Sequence, residues 1–232
     1  METILTTHAL SKRYGGIAAL NNVTLSLPAG KVIGLLGPNG SGKTTLIKLA
    51  AGLLTPTSGV VLIDSKKIGT ETKAIVSYLP EKSYLADWMR VDQCLDYFQD
   101  FYADFDRSRA NDMLQRLGVD PNARMKTLSK GTQEKVQLVL VMSRKAKLYL
   151  LDEPIGGVDP ATRDYILNTI IGNYDEGATV LISTHLIYDV EKVLDEFIFL
   201  KEGRIVMHDC TDNIRETEGR SLDELFREVF KC

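Results

Sequence analysis

An α/β fold with a mixed, mainly parallel core sheet is predicted for this 232-residue chain by three patterns. A strand, a glycine-rich turn and a helix follow one another early on; a long middle stretch has helical periodicity; and short apolar runs separated by helical segments return in the last third. The early unit comprises Lys31 to Leu36, read as a buried strand, and Thr45 to Leu53, read as a helix. From Ile4 to about Ile63 the chain is rich in short β-type runs broken by turn residues at Asn21-Asn22, Pro28-Ala29-Gly30 and Pro56-Thr57-Ser58-Gly59. From about Leu85 to Lys147 the period lengthens. There Cys94, Tyr97, Phe98, Phe101, Tyr102 and Phe105 recur at helical spacing and are expected to form one aromatic face packed inside a helical lobe. Leu148 to Leu151, Thr179 to Ser183 and Glu196 to Leu200 then read as short apolar strands. Near the C-terminus, Ser221 and Glu224 make a capping box ahead of an apolar face of Leu222, Leu225, Phe226, Val229 and Phe230. That face is expected to dock on the protein's own body, because its polar side carries acids as well as bases.

Composition limits the partners. With 28 basic and 31 acidic side chains the formal charge is −3, so no overall basic field recommends nucleic acid. Cys94, Cys210 and Cys232 are far apart and lack metal-ligand spacing, which points to a reducing compartment. No apolar stretch reaches the roughly 18 residues that span a bilayer, and the N-terminus has no signal-peptide core. A cytoplasmic location is expected, with any membrane contact supplied by another chain.

The chemistry-bearing segment is Gly37-Pro38-Asn39-Gly40-Ser41-Gly42-Lys43-Thr44, which matches G-x-x-x-x-G-K-[ST]. Glycine lets backbone N–H groups close around phosphate oxygens where a Cβ would block them. Lys43 supplies a point charge to the β and γ phosphates, the Thr44 hydroxyl is placed to ligate magnesium, and the helix N-terminus faces the anion. A second site lies in Leu148-Tyr149-Leu150-Leu151-Asp152-Glu153-Pro154, where two acids end a buried strand. They fall beside the Lys43 loop if the strands are neighbours. Asp152 suits magnesium, and Glu153, on the other side, can orient or deprotonate an attacking water.

These segments together resemble the nucleotide-binding subunits of ABC transporters over nearly the whole chain. The most discriminating part is Leu128-Ser129-Lys130-Gly131-Thr132-Gln133, which resembles the family's Leu-Ser-Gly-Gly-Gln signature ahead of an apolar helix from Glu134 to Met142. Tyr14 looks like the aromatic that stacks on adenine, and Glu81 occupies the Q-loop position. Gly156 to Asp159 resembles the D-loop, and His185 resembles the switch histidine. The resemblance implies one ABC domain over residues 1–232. Its nucleotide-binding core is 1–81 and 148–232, with an N-terminal antiparallel β subdomain, and its inserted helical subdomain is 82–147.

The same resemblance implies a function: hydrolysis of ATP with Mg2+ to energise a transporter, of the kind served by small bacterial exporter-type cassettes. Glu153, His185 and Lys43 are the expected catalytic residues. The nucleotide set is Tyr14, Gly37, Pro38, Asn39, Gly40, Ser41, Gly42, Lys43, Thr44 and Thr45, with Ser129 and Gly131 acting on the nucleotide of a second cassette. Thr44, Glu81 and Asp152 are the expected metal ligands. The implied partners are separate transmembrane subunits and that second cassette, identical or not, at the inner face of the membrane. This chain departs from the family at Glu81, where glutamine is usual, and at Lys130 and Thr132 in the signature; Lys130 is expected to point to solvent. Two other readings stand beside this one. They are a soluble ABC ATPase remodelling a non-membrane partner, and a metabolic P-loop kinase or GTPase, which the signature and the lack of an Asn-Lys-x-Asp motif disfavour.

Overall fold

The computed structural model describes residues 2–175 and 177–231; Cys232 lies outside them. In the N-terminal part, β1 (Thr3–Tyr14), β2 (Ile17–Pro28) and β3 (Val32–Leu36) precede α1 (Lys43–Ala50). Next come β4 (Ser58–Ile63), β5 (Lys66–Lys67), α2 (Thr70–Ala74) and β6 (Val76–Leu79). Three helices follow: α3 (Val91–Phe101), α4 (Arg107–Arg116) and α5 (Lys130–Met142). Then β7 (Leu148–Asp152), α6 (Pro160–Asn173), β8 (Thr179–Thr184) and α7 (Ile187–Val190) lead to β9 (Glu196–Lys201), β10 (Arg204–Cys210), α8 (Thr211–Glu218) and α9 (Leu222–Phe230).

Two sheets result. One is antiparallel with order β2-β1-β4-β5; the other has order β10-β9-β3-β8-β7-β6 and is parallel except for the β9–β10 hairpin. The central strands are apolar on both faces because both are covered. Ile33, Leu35, Leu148, Leu150, Leu181 and Ile198 face a core shared with α1 and the antiparallel sheet. Leu36, Tyr149, Leu151, Ile182, Phe197 and Phe199 face the helices on the other side. The period of two within a continuous apolar run is what a sheet buried between two layers demands.

The ends of α1 show how local chemistry sets an element. Gly42 caps its start with φ 108°, and Gly52, at φ 70°, lies just past the C-cap Ala51. The helix therefore stops three residues before the expected Leu53, since a left-handed glycine ends the i→i−4 ladder. α5 starts earlier than expected, at Lys130, because Ser129 caps it by accepting from the Thr132 N–H at 3.2 Å.

The aromatic stripe is only half a core. Cys94 and Phe98 are buried, but Tyr97 and Phe101 are exposed and pack on each other at 4.6 Å between ring centroids. The helical period does not continue: α3 ends at Phe101, and Tyr102 takes an extended conformation. Tyr102 and Phe105 reach the core from this irregular segment instead. What holds it is Arg144, 2 % exposed, which donates to both Asp104 carboxylate oxygens at 3.0 Å, to the Val76 carbonyl at 2.5 Å and to the Ala74 carbonyl at 2.7 Å. Its guanidinium also stacks on Tyr102. The helical region is thus tied to β6 by a buried cation whose donors are matched.

At the C-terminus the capping box forms, with Glu224 N–H donating to Ser221 Oγ and Ser221 N–H to Glu224 Oε2. Phe226 and Phe230 stack on each other and meet Phe199 edge-on. The apolar face of α9 therefore docks on the body of the protein. Truncating a buried aromatic such as Phe226 to alanine costs on the order of 3–5 kcal/mol.

Candidate functional site: a phosphate-loop cavity

The site forms at the carboxyl ends of β3, β7 and β8, where their parallel register brings three loops together. The turn after β3 is shaped by contact: a Cβ on Gly37 would come 2.3 Å from the Leu200 carbonyl oxygen, and one on Gly42 would come 2.5 Å from that of Ala19. No larger residue fits this backbone path. Lys43, 5 % exposed, donates to the carbonyls of Gly37 at 2.7 Å and Pro38 at 3.3 Å. Its ammonium also pairs with Glu153 Oε1 at 3.3 Å.

The acids differ in environment. Asp152 is buried; its Oδ1 accepts from Ser183 Oγ at 2.7 Å and Thr44 Oγ1 at 3.1 Å, while its Oδ2 is buried without a partner. Burial pushes its pKa up, opposed by these two hydrogen bonds and reinforced by Glu81 and Glu153. A buried carboxylate with one orphan oxygen beside a threonine hydroxyl is a donor set suited to a hard divalent cation. Among the described residues no group of three His, Cys, Asp or Glu side chains forms a metal site by itself. A cation here would take ligands from Thr44 and Asp152 with the rest from phosphate and water, and Glu81, the third expected ligand, lines the same cavity.

Glu153 adopts φ 49°, a left-handed conformation costly for a residue with a Cβ, and its N–H donates to both the carbonyl and the hydroxyl of Ser183. The turn aims its carboxylate into the cavity, where both oxygens lie 3.1 Å from His185 Nδ1. Glu153 is thus held between Lys43 and His185, with the histidine 41 % exposed at the rim. From sequence, Lys43 and Glu153 meet if their strands are neighbours. In fact β8 lies between β3 and β7, and the two meet because α1 packs across to β7.

The cavity, about 660 Å³, is lined by Asn39, Gly40, Gly42, Lys43, Thr44 and Thr45, by Glu81, Glu153 and His185, and by Lys130, Gln133 and Glu134 of α5. Gly37, Pro38 and Ser41 form the turn behind it, and Asp152 lies beneath. Tyr14 stands apart from the lining, half exposed at the end of β1 with Lys12 over its ring. Ser129 and Gly131 are also outside the lining; the Ser129 hydroxyl meets that of Thr132 at 2.8 Å in the cap. Lys130 is exposed as expected and pairs with Glu134 at 3.7 Å, yet its Nζ also lies beside Gly157.

Two contributors were missed. Ser183 anchors both acids, a role fixed by its register opposite Asp152 that no local motif encodes. Gln133 donates to the carbonyls of Met125 at 2.8 Å and Leu128 at 3.4 Å, bracing the signature loop.

A second cavity, about 520 Å³, opens between the core and the helical region, lined by Leu53, Tyr78, Tyr84, Tyr97 and Phe98 with Lys48 and Lys82 among its polar residues. Among the described residues no helix is long and apolar enough to cross a membrane.

Fold and site define a P-loop nucleotide-binding protein, with a lysine and threonine on the phosphate loop and paired acids at the end of a parallel strand. The profile of the ABC transporter family matches residues 20–156, and the chain belongs to that family, whose ATP-binding domains bind ATP. It is 31 % identical to the ABC transporter ATP-binding protein YtrB of Bacillus subtilis over 225 residues, covering 96 % of this chain and 73 % of YtrB. It is also 31 % identical to the lantibiotic transport ATP-binding protein SrtF of Streptococcus pyogenes over 228 residues, covering 94 % and 93 %. A solved ATP-binding subunit of an ABC transporter superposes with a TM-score of 0.86 at 30 % identity, covering 98 % and 99 % of the two chains. The cbiO1 protein of Clostridium perfringens, part of the ABC transporter complex cbiONQ, gives 0.78 at 26 % identity, covering 99 % and 95 %.

Proposed function

We propose that this chain is the magnesium-dependent ATPase subunit of a membrane transporter, an exporter, working as a pair of cassettes. The observation that carries the reading is the clamped Glu153, held by Lys43 at 3.3 Å and His185 at 3.1 Å in a cavity lined by the phosphate loop. Entering phosphate offers Lys43 a stronger partner than the Gly37 and Pro38 carbonyls, and drawing the ammonium away leaves Glu153 free to accept a proton from water. His185 keeps the carboxylate oriented and stabilises charge on the transferring group. Thr44 and Asp152 would hold magnesium, which supplies neutralisation of phosphate oxygens when bound.

Pairing of two cassettes is supported by the form of the signature end. Ser129 and Gly131 lie outside their own chain's cavity, on the positive end of α5, available to a phosphate held by another copy. ATP carries a γ phosphate for that helix end and ADP does not, so hydrolysis loosens the pair. Transmembrane partner subunits fit the aromatic cavity between the lobes, whose exposed Tyr84 and Tyr97 suit an apolar segment, with lysines for a polar rim. Coupling is supported by Gln137 of α5, which donates to the carbonyl of Pro80, next to Glu81, at 3.2 Å. The chain would then sit at the cytoplasmic face of the membrane through its partners. The names of YtrB and SrtF, both transport ATP-binding proteins, support this over a soluble remodelling ATPase.

The test is Glu153→Gln. ATP binding should persist while hydrolysis falls by roughly 100-fold or more, the scale of losing a general base. Hydrolysis at the parent rate would remove Glu153 from the mechanism.

A further inference from the structure

Glu153 and His185 sit on different loops, one after β7 and one after β8, and their contact is a single shared interaction 3.1 Å long. Something must fix the far ends of those loops, because a misplacement of about 1 Å can cost on the order of 100-fold in rate. The loop after Glu153 turns at once, with the Gly156 N–H donating to the Glu153 carbonyl, and runs through Val158 to Asp159, the N-cap of α6. The loop after His185 enters α7, whose Ile187 and Val190 are buried and whose Asp189 is partly buried beside α6.

Arg163, in the first turn of α6, touches both. Its Nε donates to the Val158 carbonyl at 3.1 Å, and its Nη1 donates to Asp189 Oδ2 at 2.8 Å. Both charged groups are about three-quarters buried, so this charge-assisted bond is shielded more than a surface pair. A closed ring results: Glu153, the Gly156 turn, Val158, Arg163, Asp189, α7, His185 and back to Glu153. Lysine could not reproduce it, since one ammonium lacks the planar fork that spans a carbonyl and a carboxylate.

We infer that Arg163 is a positioning residue for hydrolysis, a strut that sets the distance between the loops carrying Glu153 and His185. This rests on the ATPase reading above. The strut ties the far ends of the two loops, whose near ends are already joined by the Ser183 bonds and the Glu153–His185 contact.

Hydrogen exchange on the nucleotide-free full chain, binding of a fluorescent ATP analogue and steady-state hydrolysis test it together. Arg163→Ala should speed exchange in both residues 156–159 and residues 186–190. It should lower kcat about tenfold with KM held within about twofold, and Asp189→Ala should do the same. In a His185→Ala background, Arg163→Ala should cost less than about twofold more. Arg163→Lys, which keeps the charge opposite Asp189, should fall between and serves if the alanine variant folds poorly. Faster exchange confined to α6, or an equal fractional loss with and without His185, would overturn the strut. A parent chain that bound no ATP analogue would sink the ATPase reading, while the exchange pattern would still judge the strut.

Discussion

At the carboxyl ends of β3, β7 and β8 the polar groups of separate elements are held by one another, whereas at the start of α5 they bond to their own helix and to the short segment just before it. Lys43 and Thr44 at the start of α1, Asp152 and Ser183 at the ends of β7 and β8, and Glu153 and His185 just beyond those strands form a continuous set of contacts. Ser129 and Thr132 come from one turn and bond to each other, Ser129 exposed and Thr132 half-buried. The first region is held together by contacts among its own side chains. The second is a helix cap that, on the pairing proposed above, gains a further role from another copy. On that pairing, one copy carries a finished phosphate site and an unfinished complementary surface.

The largest expected effect comes from breaking the finished side. If Lys43 faces phosphate as proposed, Lys43→Ala removes that cation and releases Glu153, and hydrolysis should fall by about 1000-fold, with nucleotide affinity also reduced. Titration of a fluorescent ATP analogue alongside a phosphate-release assay checks this, and unchanged affinity would mean Lys43 serves only the ion pair.

Breaking the unfinished side should cost less. Ser129→Ala loses a cap worth about 1 kcal/mol of stability. If the surface completes another copy's site, hydrolysis should fall about tenfold as well. A drop in denaturation midpoint with hydrolysis intact would reduce the signature to a cap.

Glu81 lies between the two regions, and its substitution sharpens the contrast. Glu81→Ala should depress partner-stimulated hydrolysis several-fold more than basal hydrolysis, measured with and without the membrane subunits. Equal losses would argue against a coupling role.

The smallest effect is one of stability. The folded pKa of Asp152 is raised above its unfolded value, mainly by burial. The stability this group contributes is present below the unfolded pKa and lost as pH rises through the folded one. At neutral pH the nucleotide-free chain carries that loss, so Asp152→Asn should raise its melting temperature slightly and flatten the acid side of its pH–stability curve. Thermal scans without nucleotide at several pH values would show it, and a lower melting temperature at pH 7 would contradict it.

Much of this was legible in the sequence because the signals are local. The strand, turn and helix around the phosphate loop, the apolar strand ending at Asp152 and the Ser221–Glu224 capping box each rest on residues close in sequence, and each forms, with α1 running from Lys43 to Ala50 instead of from Thr45 to Leu53. The misses are relations that only the sheet creates. Ser183 matters because its register puts it opposite Asp152, and Arg163 because α6 sets it between two loops. Periodicity misled where it outran its element: Tyr97 and Phe101 keep the spacing of Cys94 and Phe98 but face solvent. Helical spacing also says nothing about where Tyr102 leaves the helix for the Asp104–Arg144 pair.

The most direct test of the central claim is the oligomeric state of Glu153→Gln by light scattering, with magnesium and either ATP or ADP. Two copies completing each other's sites predict a dimer with ATP and a monomer with ADP. A chain that binds ATP yet stays monomeric with both, alone and with a candidate second cassette, would contradict the pairing and leave the exposed cap of α5 without a role in catalysis.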